Sequence, residues 1–311
     1  MKTVSWSIRW VSLSALLHTL IYATLALLAA PLLRALPSSE AVRFFEMYWL
    51  PAGLLGLGHM AGQLIRGVVL ALVLLPFLPS LLSNPRSKQL LFWALWGISM
   101  IGSVEPLPGS IEGYIYTLTT IPEHAVILVL TLVHSLLLAA GLVWISRKAG
   151  VPQPIDEPDP PKNLQPDIRG ILMFMLLHIV TYTGAGLVFF NLQDYTAAFA
   201  ELRFFAMYRS LDDMIIGLAI PTQLPRGLLL AVWMAPLVGH ARTARYGWAL
   251  IFLAILGLTG IATGGYFPLI ATHLAEGGGF FEFLWFGLPE IFVQMLVFSV
   301  LLWLWERRRT I

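Results

Sequence analysis

Apolar residues run along this chain in eight blocks, and the polar residues fall mostly between the blocks. The blocks cover roughly 10–33, 54–80, 90–105, 122–146, 168–190, 214–238, 246–268 and 289–305. A helix crosses a bilayer with about 20 apolar residues, each rising about 1.5 Å. The pattern therefore predicts an all-α integral membrane protein with eight transmembrane helices. Lys2 and Arg9 precede the first block. That block is nevertheless too long for the apolar core of a secretory leader, and it reads as a retained helix.

The blocks repeat, and so do the polar residues inside them. A shift of 160 positions brings Arg43-Phe44-Phe45 onto Arg203-Phe204-Phe205, and Met47-Tyr48 onto Met207-Tyr208. It also superposes Gln63-Leu64 on Gln223-Leu224, Arg66-Gly67 on Arg226-Gly227, and Pro76 on Pro236. From Arg43 to Pro76, 12 of 34 positions are identical without a gap. His18 and Tyr22 meet His178 and Tyr182 at the same shift. Apolar matches arise from composition alone in such a chain, whereas Arg, His and Gln are costly in lipid and do not recur cheaply.

Between the copies lies a stretch from Val151 to Pro166 with six prolines and no apolar period, which reads as an extended linker. The predicted organisation is a first four-helix repeat (1–149), a proline-rich cytoplasmic linker (150–167) and a second four-helix repeat (168–311). An even number of spans per copy makes the two repeats parallel. They are then related by a pseudo-two-fold axis along the membrane normal.

Composition supports the membrane assignment and removes several chemistries. Of 311 residues, 58% are hydrophobic and only 12% charged, with mean hydropathy +0.79; soluble proteins carry about 25% charged residues. The chain has no cysteine, so disulfides, thiolate metal sites and cysteine nucleophiles are excluded. No HExxH, Walker A, GxSxG or GxGxxG sequence occurs, and no cofactor or metal is expected. Thirteen of 19 basic residues fall in the segments that are inside when the N-terminus is cytoplasmic. This bias predicts a cell-membrane protein with both termini cytoplasmic. Those basic residues flank spans, so membrane lipids are their expected partners and nucleic acid is not.

The candidate site residues are the repeated polar ones. Gly53, Gly56, Gly58 and Gly62 precede Gln63 and Arg66, and Pro221 and Pro225 bracket Gln223 and precede Arg226. These interruptions predict a broken second helix in each copy, with Thr222 near a new cap. The free N–H groups there, with Arg66 or Arg226 in the first turn, would suit a small or lipidic anion. The opposing reading is structural. Either Arg would snorkel to headgroups or pair with an acid of its own outer loop, such as Glu112 or Glu276.

His18 with Tyr22, and His178 with Tyr182, share a helix face and would line the same site or simply satisfy each other. Glu123 follows Pro122 and Glu290 follows Pro289, which is ordinary helix-start chemistry. Alternatively, these acids face an outer cavity and neutralise the two arginines. Arg43, Tyr48, Arg203 and Tyr208 belong to aromatic-and-charged outer segments that would form an interfacial lid.

Three functions are compatible with these residues. One is transport or binding of a small or lipidic anion at Arg66, Arg226, Gln63 and Gln223. The second is a non-catalytic membrane scaffold or accessory subunit, in which the polar residues hold the halves or a partner together. The third is an intramembrane lipid-modifying enzyme, which requires His18 or His178 to approach Glu123 or Glu290.

Overall fold

The computed structural model describes residues 2–35, 54–151, 167–201, 205, 207–242, 244–261 and 285–309. Arg43, Tyr48, Arg203, Glu276 and most of the proline-rich linker lie outside these residues. The described residues are mostly helical, and the one strand-like pairing among them is an isolated bridge between Thr117 and Tyr208.

The helices run in the order α1 (Lys2–Ala35), α2 (Leu54–Leu74), α3 (Leu78–Ser83), α4 (Ser87–Phe92), α5 (Ile111–Tyr116), α6 (Ile121–Ala149), α7 (Ile168–Leu192), α8 (Tyr195–Glu201), α9 (Ala219–Arg242), α10 (Gly247–Thr259) and α11 (Leu288–Arg308). Six of the helical runs are long and apolar enough to cross a membrane: Trp6–Leu32, Met60–Ser83, Ile121–Ala149, Ile168–Leu192, Met214–Arg242 and Leu288–Arg308. The chain is a multi-pass, all-α membrane protein.

The other two apolar blocks are shorter than a crossing among the described residues. α4 continues as a π-helical stretch, Trp93–Ile101, and stops at Gly102, where Pro106, Pro108 and Gly109 follow. α10 covers only 13 residues and ends at Thr259, followed by Gly260. The chain then turns through 102–110 inside the protein. Ser103, Glu105, Ser110, Glu112 and Thr117 are all at most 5% exposed. Non-helical backbone at such depth survives only where protein satisfies its polar groups.

The break expected in the second membrane helix of each copy is not there. α2 is continuous from Leu54 to Leu74. In the other copy a 3₁₀ turn, Met214–Leu218, leads directly into α9, which carries Pro225 and Pro236 within it. Pro221 falls in the first turn of α9, where its missing N–H costs nothing. Thr222 does not cap a new helix; its hydroxyl donates back to the Leu218 and Ala219 carbonyls at 2.8 and 2.9 Å. Arg66 and Arg226 therefore sit within helices, away from free N–H groups.

Packing explains why glycine precedes the next turn in both helices. α1 packs on α2 and α6, and α7 packs on α9 and α11. A Cβ at Gly67 would lie 2.8 Å from Ala15 Cα and 3.2 Å from His18 Cδ2. A Cβ at Gly227 would lie 3.2 Å from His178 Cδ2 and 3.5 Å from Met175 Cα. Lipid provides no hydrophobic drive between helices, so close backbone approach through small residues is what holds them. α10 packs on α9, α11 and α2, and the π-helical stretch on α9. One apolar core results, running from Trp10, Leu74 and Ile98 to Leu230, Met234, Ala254 and Phe298. At its edge the exposed Trp93 stacks on Trp233 with ring centroids 5.4 Å apart, and Gly97 leaves room for the Trp233 indole.

Candidate functional site

Polar residues of α7 and α9 converge on the loop that runs from 102 to 117. α7 presents His178 and, one turn later, Tyr182; α9 presents Gln223 and Arg226. The loop after the π-helical stretch, with the short α5, supplies Gly102, Glu112 and Tyr116. Arg226 Nη1 lies 2.9 Å from Glu112 Oε1 and also donates to Gln223 Oε1 at 2.9 Å. Its Nη2 donates to the Gly102 carbonyl at 3.0 Å. Gln223 Nε2 donates to Glu112 Oε1 at 3.0 Å and to the Ala219 carbonyl at 3.0 Å. His178 Nε2 is 3.0 Å from Gln223 Oε1. The Tyr182 hydroxyl donates to Glu112 Oε2 at 3.3 Å and lies 2.7 Å from the Tyr116 hydroxyl. Arg226 is 1% exposed, Gln223 0%, and Glu112 and His178 2% each.

This arrangement is a carboxylate cradle, and the carboxylate belongs to the chain itself. Arginine and an amide both donate to one oxygen, and a phenol donates to the other. An unpaired guanidinium at this depth would be costly, and a partner at hydrogen-bond distance offsets much of that cost. The sequence offers Glu112 as a partner for Arg66; in the structure its carboxylate lies against Arg226.

The same loop stitches to the second half along its length. Val104 N donates to the Thr259 carbonyl at 3.0 Å, and Ser103 Oγ to the same oxygen at 3.1 Å. Leu118 N donates to Met207 O at 2.9 Å, and Arg209 N to Tyr116 O at 2.8 Å. Tyr208, the described member of the expected lid, sits in this seam, opposite Thr117 and edge-on to Phe205 at 5.2 Å. Burial, then the fields of Glu105 and Glu112, hold its hydroxyl above the ordinary tyrosine pKa. Gly113 makes the loop's fold possible, because a Cβ there would run into the Leu107 carbonyl.

The first copy is arranged differently. Arg66 is half-buried, and its Nη1 donates to Gln63 Oε1 at 3.4 Å. His18, 1% exposed, lies edge-on to His134 with centroids 4.9 Å apart.

Glu123 and Glu290 serve helix starts. Glu123 closes a capping box with Thr120 at the head of α6, its Oε2 accepting the Thr120 N–H at 2.8 Å. Glu290, in the first turn of α11, accepts from the Tyr195 hydroxyl at 2.9 Å. No group of three or more His, Asp or Glu arranged for a metal ion occurs among the described residues.

Sequence reasoning missed Glu105, His134 and Ser14, which have no matched counterpart in the other copy. It also missed the buried loop. The signal for that loop was the short apolar run before Gly102-Ser-Val-Glu-Pro-Leu-Pro-Gly109, which contains too many breakers to complete a crossing. No family model, no curated protein and no solved structure matches this chain.

Proposed function

We propose that this chain is a membrane scaffold or accessory subunit whose two halves are clasped inside the bilayer by Arg226 and Glu112. The observation that carries the reading is that Arg226 spends both terminal nitrogens on the other half's loop, at 2.9 Å to Glu112 and 3.0 Å to Gly102. A cation so engaged holds structure together. Presenting it to an outside anion would require the Glu112 loop to come apart, and breaking one side of a buried pair costs about 3–5 kcal/mol.

We read the architecture as two parallel four-helix repeats with eight crossings, joined by the 150–167 linker. The short α4–π and α10 helices would be half-crossings completed by the segments that follow them. The matching packing of α1 on α2 and α6, and of α7 on α9 and α11, supports this, as do Gly67 beside His18 and Gly227 beside His178. The distribution of Lys and Arg supports cytoplasmic termini in a cell membrane.

A second reading, binding or transport of a small or lipidic anion, is favoured by the chemistry of the cradle. The His-Tyr-Gln-Arg set does hold a carboxylate in the second copy. Reconstituted vesicles separate the two readings. Radiolabelled small carboxylates and inorganic phosphate would enter scaffold-containing vesicles no faster than protein-free ones. Protein cut at a protease site within 152–166 would still migrate as one particle. Uptake that disappears in the Arg226→Met variant would replace the scaffold by an anion carrier.

A further inference from the structure

One end of the bundle, where α9 and α11 finish and α7 begins, carries more positive charge than its own acids can neutralise. Six arginines lie there, Arg169, Arg242, Arg245, Arg307, Arg308 and Arg309, against two carboxylates among the described residues, Asp167 and Glu306. Both carboxylates are already engaged. Arg309 pairs with Asp167 and lies 3.5 Å from Glu306 Oε1, and Arg242 lies 3.9 Å from Glu306 Oε2. Arg245, Arg307 and Arg308 are exposed.

Aromatic rings stand at the same level. The Arg307 guanidinium lies 5.2 Å over the Trp303 ring, that of Arg309 4.5 Å over Trp305, and that of Arg245 5.2 Å over Tyr246. A guanidinium within about 6 Å of a ring centroid is attracted to its face. The rings steady these charges without neutralising them. Trp303 also brings Arg245 and Arg307 to one place. The turn between α9 and α10 closes on that indole so tightly that a Cβ at Gly247 would lie 2.6 Å from Trp303 Nε1. Beside Trp303 on α11, Leu301 and Leu304 face outward at 40% and 43% exposure. Leucine, tryptophan and arginine thus follow one another toward the end of α11, in the leaflet's own order of acyl tail, interface and phosphate.

Helix ends explain only part of this charge. Arg242, Arg307 and Arg308 sit in last turns, where the helix dipole favours a cation. Arg169 sits in the first turn of α7, where the dipole opposes one, and Arg245 lies in the turn beyond α9.

We propose that this end of the second half binds the headgroup of an anionic phospholipid, held by Arg245, Arg307 and Arg308 and bedded on Trp303 and Tyr246. Guanidinium groups take phosphate oxygens two at a time. Clusters of about four to eight basic residues at the end of a span attract anionic lipid. A zwitterionic lipid brings its own cation, which the arginines repel, whereas an anionic lipid brings net charge of the complementary sign. The outward leucines of α11 seat its acyl chains. The clasp is built from other residues, so the two proposals fail separately.

Native mass spectrometry counts the lipids that full-length protein keeps on release from nanodiscs holding equal amounts of phosphatidylcholine and phosphatidylglycerol. The wild type is expected to keep phosphatidylglycerol severalfold more often than phosphatidylcholine. The Arg245→Gln/Arg307→Gln/Arg308→Gln variant is expected to bring the two lipids close to parity. A control with the same loss of charge in the first half, Arg86→Gln/Lys88→Gln/Arg147→Gln, is expected to keep the wild-type preference. A tryptophan-fluorescence unfolding transition reports that each variant is folded. Equal retention of the two lipids by the wild type would overturn the proposal, and that measurement needs no variant. So would undiminished preference in the first variant, or a control that loses as much preference as the first variant does.

Discussion

Replacing Glu112 by alanine removes the only carboxylate within 4 Å of Arg226 among the described residues. Three donors lose an acceptor: the Arg226 guanidinium at 2.9 Å, the Gln223 amide at 3.0 Å and the Tyr182 hydroxyl at 3.3 Å. A hydrogen bond to a charged group contributes about 1.5–3 kcal/mol. The two neutral donors add about 0.6 kcal/mol each at the values measured between membrane helices. Arg226 keeps Gly102 O and Gln223 Oε1, so its charge is not wholly stranded. The expected loss is about 3–4 kcal/mol, within the range for one-sided removal of a buried pair.

Unfolding in mixed detergent–SDS micelles, followed by tryptophan fluorescence, reads this loss. Glu112→Gln keeps an acceptor for Arg226 without the charge and should fall between alanine and wild type. The double variant Glu112→Leu/Arg226→Met leaves no charge behind and should lose less than about 2 kcal/mol, since only the neutral donors and carbonyl lack partners. The coupling energy of the cycle is then at least about 2 kcal/mol. An alanine variant losing less than about 1 kcal/mol, or a double variant whose loss is the sum of the singles, would refute the clasp.

Two further outcomes follow from particular contacts. Gly67→Ala should destabilise more than Gly227→Ala, because its methyl meets Ala15 backbone at 2.8 Å, whereas at 227 the nearest atom is a histidine side chain at 3.2 Å; the same unfolding assay ranks them, and a reversed order would show that α1 yields where α7 does not. Asp167 caps α7, and its pKa is held below the ordinary carboxylate value by the Gly170 N–H and then by Arg309. A lowered folded-state pKa gives stability that is present above the unfolded value of about 3.9 and is lost as pH falls through the folded one. Asp167→Asn should therefore lower stability at pH 7 and flatten the acid limb below about pH 4, where the wild type loses the same contribution and the two curves converge. An acid limb identical to the wild type would remove Asp167 from the account.

The membrane class was legible because hydropathy acts locally: twenty apolar residues need no partner to declare themselves. The polar residues that matter in the second half were legible too, since His178, Tyr182, Gln223 and Arg226 stand out in apolar surroundings and recur at a fixed shift. What they touch was not legible. Glu112 lies 114 residues from Arg226 and in the other repeat, and no spacing rule links them. Pro225 also misled. Its ring removes one backbone hydrogen bond, but a neighbouring helix and the preceding turn tolerate that loss in a membrane bundle, so α9 runs on. The first four residues of the GSVEPLPG stretch read as the end of a span, because apolar content alone does not distinguish a crossing from a helix that stops halfway.

The junction around Arg226 is built from residues far apart in the chain. The 102–117 segment gives it Glu112 and the Gly102 carbonyl, and Gln223 shares that carboxylate. His178 is bonded to Gln223 and faces Phe298 edge-on. At the positions that the 160-residue shift matches to these, Arg66 reaches Gln63 at 3.4 Å and His18 meets the ring of His134 edge-on at 4.9 Å. Similar local sequence therefore ends in different contacts, because which loop packs against a side chain decides its partners.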